Sequence, residues 1–244
     1  EGVAWSVAMP GWSNASPIVA GDRVCTTAEP LTLLCVSARD GTELWRHEAS
    51  VQDTVPPDQR EAFGRDQAQA ARLNRELRAA ERRYNKLKRS MRKARRKGDE
   101  ALAELSALTA EVNQLKEALD RYTRHLAPEP IPELGSASAT PVTDGRGIYA
   151  VFGNGVVLAT TLDGKVRWAR ELSRPDQPMR GYHRGQAASP LLVDGVLVVA
   201  MGALHGLDTA TGATRWTGER YEEFGAPSAV LVGGKWMLVT PDGK

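Results

Sequence analysis

Short apolar runs alternate with Gly-rich turns through most of the chain, a pattern typical of β-strands. One order of runs repeats at residues 14–50, 137–171 and 186–219. Each unit has a short run, a Gly or Asp turn, two further runs, and a last run that ends in Trp. Four short strands in a unit of roughly 40 to 50 residues are typical of propeller blades. The pattern predicts an all-β fold, a partial β-propeller of about three to four four-stranded blades.

The Trp residues define the period of the repeat. In each unit a Gly lies four residues before the Trp, which gives the pairs Gly41–Trp45, Gly164–Trp168 and Gly212–Trp216. Trp5 lies in an apolar run, residues 3–8, that we interpret as the last strand of an earlier unit. The spacing is 40 residues from Trp5 to Trp45 and 48 from Trp168 to Trp216, but 123 between Trp45 and Trp168. The long spacing predicts an insertion between two blades.

The first run of each unit follows an Ala-Ser-Pro or Ala-Thr-Pro triplet. These triplets lie at residues 15–17, 139–141 and 188–190, and a shuffled copy, Ala-Pro-Ser, lies at 226–228. Pro is tolerated at the first residue of a strand because its missing N–H is least harmful there. The triplets therefore indicate where the first strand of each blade begins.

The insert has a heptad pattern of apolar residues instead of a strand pattern. In the first half the two series are Ala70, Leu77, Tyr84, Met91 and Leu73, Ala80, Leu87, Ala94; in the second they are Leu105, Val112, Leu119, Leu126 and Ala101, Leu108, Leu115, Tyr122. This pattern predicts an antiparallel α-helical coiled-coil hairpin with arms of about 28 residues. The predicted organisation is one strand and the first full blade at 1–55, the hairpin at 56–132, and two further blades with the start of another at 133–244.

Charge is concentrated on one half of the insert, although the net charge of the chain is only +2. Residues 72–97 contain thirteen Lys or Arg and two acids, whereas residues 98–126 contain six acids and three bases. The excess predicts a docking arm for nucleic acid, acidic lipid headgroups or an acidic protein. Its candidate residues are Arg82, Arg83, Arg89, Arg92, Arg95 and Arg96. A solvated helix face is the alternative, and nucleic acid is disfavoured because no base-reading fold accompanies the arm.

Cys25 and Cys35 lie in neighbouring predicted strands, at equal distances from Pro30. A hairpin centred on Pro30 would place them opposite each other, near enough for a disulfide. A disulfide would suit an exported, oxidising location, whereas two free thiols would act as small buried apolar groups. The sequence leaves both open. No metal site and no catalytic cluster are predicted, because the cysteines lack metal-ligand spacing and the four His fall in different units.

One loop combines cationic, aromatic and titratable side chains before a predicted innermost strand. It contains Arg180, Tyr182, His183 and Arg184. The two Arg side chains could bind a carboxylate or phosphate in bidentate fashion, which makes the loop a candidate ligand site at the mouth of the propeller channel. A solvated polar loop is the alternative.

The last run of the third unit resembles a known repeat motif. Leu207–Trp216 contains the pattern D-x-x-T-G-x-x-x-W at Asp208, Thr211, Gly212 and Trp216. The units are similar to blades of the pyrroloquinoline-quinone-type repeat family, whose fourth strand carries this Trp-docking motif. The resemblance covers the chain outside the insert. It implies that Trp5, Trp45, Trp168 and Trp216 pack between neighbouring blades. The copies in the first two units are degenerate. At the Asp position the first unit has Ser and the second has Thr, and at the Thr position both units have Asp.

The resemblance implies two classes of function. The family contains quinone dehydrogenases and also non-catalytic scaffolds, including outer-membrane assembly lipoproteins. The dehydrogenases carry adjacent cysteines beside the cofactor, and this sequence has no adjacent pair. We therefore expect a non-catalytic, cofactor-free scaffold that binds a protein partner in the periplasm or cell envelope. The alternative is a dehydrogenase dependent on pyrroloquinoline quinone and calcium, with a cofactor site mostly in blades outside this chain.

The predicted blades are fewer than a closed propeller ring needs. A closed ring of this family's blades would need about seven or eight, so the resemblance implies that the chain is a fragment of about half a ring. The apolar fraction of 41% is ordinary for a soluble protein. No apolar run approaches the length of a membrane-spanning helix.

Overall fold

Antiparallel β-sheets make up the larger of the chain's two units. The computed structural model describes residues 2–94, 98–126, 135–172, 188–220 and 225–240. The larger unit comprises residues 1–54 and 129–244, and the smaller comprises residues 55–128. Within the described residues the larger unit contains three four-stranded sheets and one two-stranded sheet.

The sheets follow one another along the chain. Sheet 1 contains β1 (Ile18–Ala20), β2 (Arg23–Ala28), β3 (Thr32–Ser37) and β4 (Glu43–Glu48). Sheet 2 contains β5 (Val142–Thr143), β6 (Gly147–Val151), β7 (Val156–Thr161) and β8 (Val166–Glu171). Sheet 3 contains β9 (Leu191–Val193), β10 (Val196–Met201), β11 (Ala203–Asp208) and β12 (Thr214–Arg220), and sheet 4 contains β13 (Ser228–Val232) and β14 (Lys235–Val239). Neighbouring strands pair in chain order, as expected for blades; the total blade number stays a prediction.

The prediction of a strand at residues 3–8 is wrong. No strand is assigned there, because no neighbouring strand in the described part of the chain pairs with this backbone. Trp5 and Val7 instead pack on Leu34 and Val36 of β3. The segment therefore covers one face of sheet 1 through its side chains alone.

Sheet 2 is buried on both faces. Along β6, Ile148 and Ala150 pack with buried side chains of sheet 1, whereas Tyr149 and Val151 pack with buried side chains of sheet 3. Successive side chains of a strand point to opposite faces, so both sets must be apolar. The two buried faces explain why β6 is apolar throughout instead of alternating.

A Trp side chain joins sheet 1 to sheet 2, and another joins sheet 2 to sheet 3. The Nε1–H of Trp45, in sheet 1, donates to a turn carbonyl of sheet 2 at 2.8 Å. Trp168 of sheet 2 likewise donates to the carbonyl oxygen of Thr209, in the β11–β12 turn of sheet 3, at 3.0 Å. Each ring lies against the turn glycine, so that a Cβ atom would come 2.5 Å from the Trp45 ring at Gly164 and 2.7 Å from the Trp168 ring at Gly212.

The same contact occurs on the other side of sheet 1. Trp5 donates its Nε1–H to the carbonyl oxygen of Ala38 at 3.0 Å, and its ring lies against Gly41. All three turn glycines have φ between 71° and 81°, a conformation that disfavours side chains with a Cβ atom. Trp216 lies across Gly206 within its own sheet.

The Ala-Ser/Thr-Pro triplets also join neighbouring sheets, which the sequence analysis did not predict. The N–H of Ser16 donates to Oγ1 of Thr140, and the N–H of Thr140 donates to Oγ of Ser189, both at 3.0 Å. Each hydroxyl therefore satisfies a backbone group of the preceding sheet. In the fourth copy Ala226 occupies the hydroxyl position.

The β11–β12 turn of sheet 3 is organised by one carboxylate. Oδ1 of Asp208 accepts hydrogen bonds from the N–H of Ala210 at 3.0 Å and of Thr211 at 2.9 Å, and Oδ2 accepts one from Nε of Arg215 at 3.0 Å. The Arg215 guanidinium and these turn donors lower the pKa of Asp208 from 3.8 to about 2. This turn presents the glycine and the carbonyl that Trp168 contacts.

A disulfide crosses the middle of sheet 1. Cys25 of β2 and Cys35 of β3 are directly paired in the antiparallel register, and their sulfur atoms are bonded. Both residues are fully buried in the core shared with sheet 2. Of the two arrangements that the sequence left open, the structure contains the disulfide.

The smaller unit is helical. It contains α1 (Arg60–Ala94), α2 (Asp99–Asp120) and short 3₁₀ helices at Pro57–Gln59 and Thr123–His125. The buried contacts are made by predicted heptad residues, namely Ala70, Leu73, Leu77, Ala80, Val112 and Leu119. The helices have 35 and 22 residues, unlike the two equal arms expected, because α1 begins before the heptad pattern and α2 ends at a 3₁₀ turn. Coiled-coil geometry stays a prediction.

Replacing Trp168 by Ala removes the ring that joins sheets 2 and 3. We expect Trp168→Ala to lower the free energy of unfolding by about 3–5 kcal/mol, because the lost side chain leaves a cavity. Trp236→Ala is the matched control: Trp236 is 52% exposed, and its loss should change stability by about 0.5 kcal/mol or less. Urea unfolding curves give both values. Equal losses in the two variants would contradict the role of Trp168.

The Asp208 turn should make stability depend on acidic pH. Because the folded-state pKa lies below 3.8, its stabilising contribution is present above that pH and is lost as pH falls towards about 2. We expect Asp208→Asn to be less stable than the wild type at neutral pH and the difference to shrink over this window. Glu219→Gln is the charge-matched control, because Glu219 is an exposed carboxylate in β12. A difference independent of pH would argue against ionised Asp208 as its source.

Removing the disulfide should destabilise sheet 1. The bonded cysteines are 10 residues apart, and closing a loop of this size stabilises a fold by about 2–3 kcal/mol. We expect that loss for Cys25→Ala/Cys35→Ala in urea unfolding. Reductant should shift the wild-type midpoint towards the variant and leave the variant unchanged. A wild-type midpoint insensitive to reductant would mean that the thiols are not bonded in solution.

Candidate interaction surface

The basic residues of α1 divide between the side that faces α2 and the side that faces away. On the α2 side, Arg83 forms an ion pair with Glu111, and Lys116 of α2 lies 3.3 Å from Glu81. As residue numbers rise along α1, those of the α2 partners fall. The basic stretch contains two acids, and both are paired. Glu81 pairs with Lys116, and Glu76 accepts a hydrogen bond from Nε of Arg72 at 2.9 Å.

The side of α1 that faces away from α2 carries exposed cations. Arg75, Arg82, Lys86 and Arg89 are exposed, and among the described residues none of the four forms an ion pair. A helix advances about 100° per residue, so these four positions fall within about 60° of one another. We call this set the basic row. Three of its members, with Asn85 and Ser90, line an open recess of ≈ 460 Å³.

The predicted arm residues differ in their surroundings. Arg82 and Arg89 belong to the basic row, and Arg92 is exposed near its end. Arg83 already has a carboxylate partner in Glu111. Arg95 and Arg96 lie outside the described residues. The heptad pattern could have separated these groups, because Arg83 flanks the apolar seam whereas Arg82 and Arg89 lie opposite it.

The candidate ligand loop lies outside the described residues. Arg180, Tyr182, His183 and Arg184 all fall within residues 173–187, so their grouping stays a prediction. The remaining His residues are far apart in the chain and have different partners: His47 lies 3.1 Å from Asp53, His125 lies 3.8 Å from Asp66, and His205 contacts a backbone carbonyl. Within the described ranges no group of three or more His, Cys, Asp or Glu could hold a metal ion.

A second carboxylate, missed by the sequence analysis, anchors the chain where it enters sheet 2. Oε1 of Glu29 accepts hydrogen bonds from the N–H groups of Ser136 at 2.6 Å and Ala137 at 2.7 Å. Thr27 donates its hydroxyl to the carbonyl oxygen of Ala137 at 2.8 Å. No sequence signal distinguishes Glu29, because its partners are backbone groups 107 and 108 residues away.

Neither α1 nor any other described helix combines the length and the apolar character needed to span a membrane.

Several solved structures are similar to this chain. BamB from Moraxella catarrhalis is 14% identical, with a TM-score of 0.49 over 92% of this chain and 45% of that chain. Quinohemoprotein alcohol dehydrogenase ADHIIG from Pseudomonas putida HK5 is 14% identical, with a TM-score of 0.45 over 88% and 22%. A europium-containing methanol dehydrogenase is 10% identical, with a TM-score of 0.42 over 85% and 24%. The chain spans less than half the length of each. No curated protein matches it.

One family profile matches nearly the whole chain. Residues 2–112 and 94–244 match the family described as outer membrane protein assembly factor BamB. The match confirms the resemblance drawn from the Trp motif and the four-strand repeat. It extends through the helical unit, which the repeat pattern alone did not include. The chain therefore belongs to the outer membrane protein assembly factor BamB family.

Proposed function

We propose that the chain is part of a non-catalytic β-propeller scaffold for protein binding or assembly in the bacterial cell envelope. The observation that carries the proposal is the repeated Trp contact, which fixes consecutive sheets against one another at Trp45 and Trp168 and fixes residues 3–8 on sheet 1 at Trp5. A platform held in this way keeps the loops at its edges in fixed positions, where partners bind. The family match supports an assembly role.

A docking arm is the second part of the proposal. The α1 and α2 helices bury their apolar sides against each other, as the predicted coiled-coil hairpin requires. The basic row is left available on the opposite side of α1. Charged surfaces of one sign guide association with partners of the other sign. The arm would therefore contact an anionic partner while the sheets serve as its support.

An envelope location is supported by two observations. The family takes its description from outer-membrane assembly, and Cys25 is bonded to Cys35. Disulfides persist in oxidising compartments such as the periplasm and are rare in the cytosol. A periplasmic or otherwise exported protein fits both.

The quinone-dependent dehydrogenase remains the alternative function. Its family members carry adjacent cysteines beside the quinone, but here the two cysteines are 10 residues apart and bonded across two strands. The described residues therefore do not fit that part of a quinone site. A dehydrogenase would need its cofactor residues elsewhere in a longer protein.

Capture of partners from a native envelope extract tests the scaffold proposal. The full-length parent protein would be compared with a variant in which residues 59–126 are replaced by a Gly/Ser linker. We expect specific envelope proteins in the wild-type capture, with those bound by the arm lost from the variant and those bound by the sheets retained. The Trp168→Ala variant should lose the latter, because its sheets are no longer fixed.

The same preparation tests the alternative. Turnover in a dye-reduction assay, after addition of pyrroloquinoline quinone and calcium, would overturn the non-catalytic scaffold. Failure to capture any specific envelope protein with the wild type would also overturn it. A partner set identical in the wild type and the linker variant would remove the arm from the proposal and leave the platform.

A further inference from the structure

The basic row of α1 has a geometry that suits a flat array of anionic groups. Arg75 and Arg89 are its ends, and their separation of 14 positions corresponds to about 21 Å of helix. All four side chains are exposed on one side of a continuous helix. The row therefore presents four cations along a straight line at the same time.

The two acids in the basic half of α1 do not compete with this row. Glu76 and Glu81 lie about 100° or more away from Arg82 around the helix axis, at the expected advance per residue. Both have basic partners, Arg72 and Lys116 respectively. The positive potential along the row is consequently not neutralised by a neighbouring described carboxylate.

From this arrangement we propose that the basic row binds the phosphate groups of an anionic lipid surface. The proposal deepens the docking-arm part of the proposed function and rests on it. Three of the four cations are Arg, whose planar guanidinium matches phosphate oxygens in a bidentate geometry. Each basic side chain close to an anionic membrane adds to the attraction, so four together give substantial binding.

A protein partner fits this surface less well. The cores of protein interfaces are enriched in aromatic and apolar side chains, and most binding energy comes from a few such residues. Between Arg75 and Arg89, the row is interrupted only by small or polar positions such as Ala79 and Asn85. The aromatic residue of this stretch, Tyr84, is half-buried on the seam side with Lys88 over its ring. Phosphate recognition needs no apolar anchor.

The same composition excludes insertion into the lipid tails. Helices that lie within a membrane interface bury an apolar face, and the apolar face of α1 is occupied by α2. The contact would therefore be with headgroups alone and strongly sensitive to salt.

The helices of a second copy of this chain do not offer a matching row of acids. The outward side of α2 carries exposed small or neutral residues in its middle, namely Ala103, Ser106, Ala110 and Asn113. Exposed acids on that side lie only near its two ends, with Asp99 at the start and Glu117 and Asp120 at the finish. Its acidic residues Glu111 and Glu104 lie on the flank next to the seam, and Glu111 pairs with Arg83. The described helices therefore carry no continuous row of acids that matches the four cations of the basic row.

Vesicle flotation of the 244-residue chain tests the proposal. The probes are vesicles of phosphatidylcholine alone and vesicles of equal parts phosphatidylcholine and phosphatidylglycerol. We expect binding only to the anionic vesicles, with loss of binding at about 1 M salt, where the Debye length is about 3 Å. The quadruple variant Arg75→Gln/Arg82→Gln/Lys86→Gln/Arg89→Gln should bind about 1,000-fold more weakly.

A charge-matched variant separates the row from net charge. Arg39, Lys165, Arg170 and Lys235 are exposed in the larger unit, and none forms an ion pair within the described residues. The Gln variant at these four positions loses the same charge and should bind within about threefold of the wild type. Thermal melting of both quadruple variants verifies that they fold. Equal losses in the two would overturn the proposal, as would unchanged binding of the basic-row variant.

Competition identifies the class of anion. Poly-glutamate or duplex DNA, at the same concentration of anionic groups, should displace the chain from anionic vesicles less effectively than additional vesicles do. Displacement by poly-glutamate at least as effective as by vesicles would assign the row to an acidic protein, and the same result with DNA would assign it to nucleic acid. Either result overturns the lipid proposal without affecting the partner capture that tests the scaffold.

Discussion

The contact between a Trp ring and a turn glycine is the interaction on which the larger unit depends. A four-stranded sheet with two apolar faces cannot remain in water alone, and consecutive sheets must bury those faces against each other. The Trp ring fixes how they meet, because it fits only where the turn residue has no Cβ atom and offers a carbonyl to the indole N–H. At Gly164 and Gly212 an added Cβ would overlap the ring. One contact thus combines apolar burial, a satisfied indole donor and a backbone conformation that glycine favours.

This arrangement also explains how the chain tolerates a helical unit between two sheets. Trp45 comes before residues 55–128 and Gly164 comes after them, so the contact that joins sheets 1 and 2 does not involve the intervening residues. Loop-closure entropy rises only slowly with loop length. Hydrogen bonds from Ser136 and Ala137 to Glu29 hold the returning chain on sheet 1. The insert can therefore evolve a surface of its own without disturbing the sheets.

The packing of α1 against α2 determines which charges of the helical unit are paired. Apolar heptad residues require one side of α1 to face α2, and the cations next to that side find carboxylates there, as Arg83 does with Glu111. Cations on the opposite side, such as Arg82 and Arg89, have no such partner among the described residues. The excess of bases over acids therefore creates a docking surface only on the side of α1 that faces away from α2.

The sequence by itself determined the repeat, the order of four strands in each unit, the opposed cysteines and the heptad seam, because each depends on local periodicity or turn chemistry. It could not decide whether Cys25 and Cys35 are bonded, nor that residues 3–8 cover a sheet without forming a strand. It also missed Glu29 and the hydroxyl of Thr140, whose partners are backbone groups more than 100 residues away. Those features depend on which surfaces meet in space, and backbone groups carry no sequence signal. Tertiary packing alone decides such contacts.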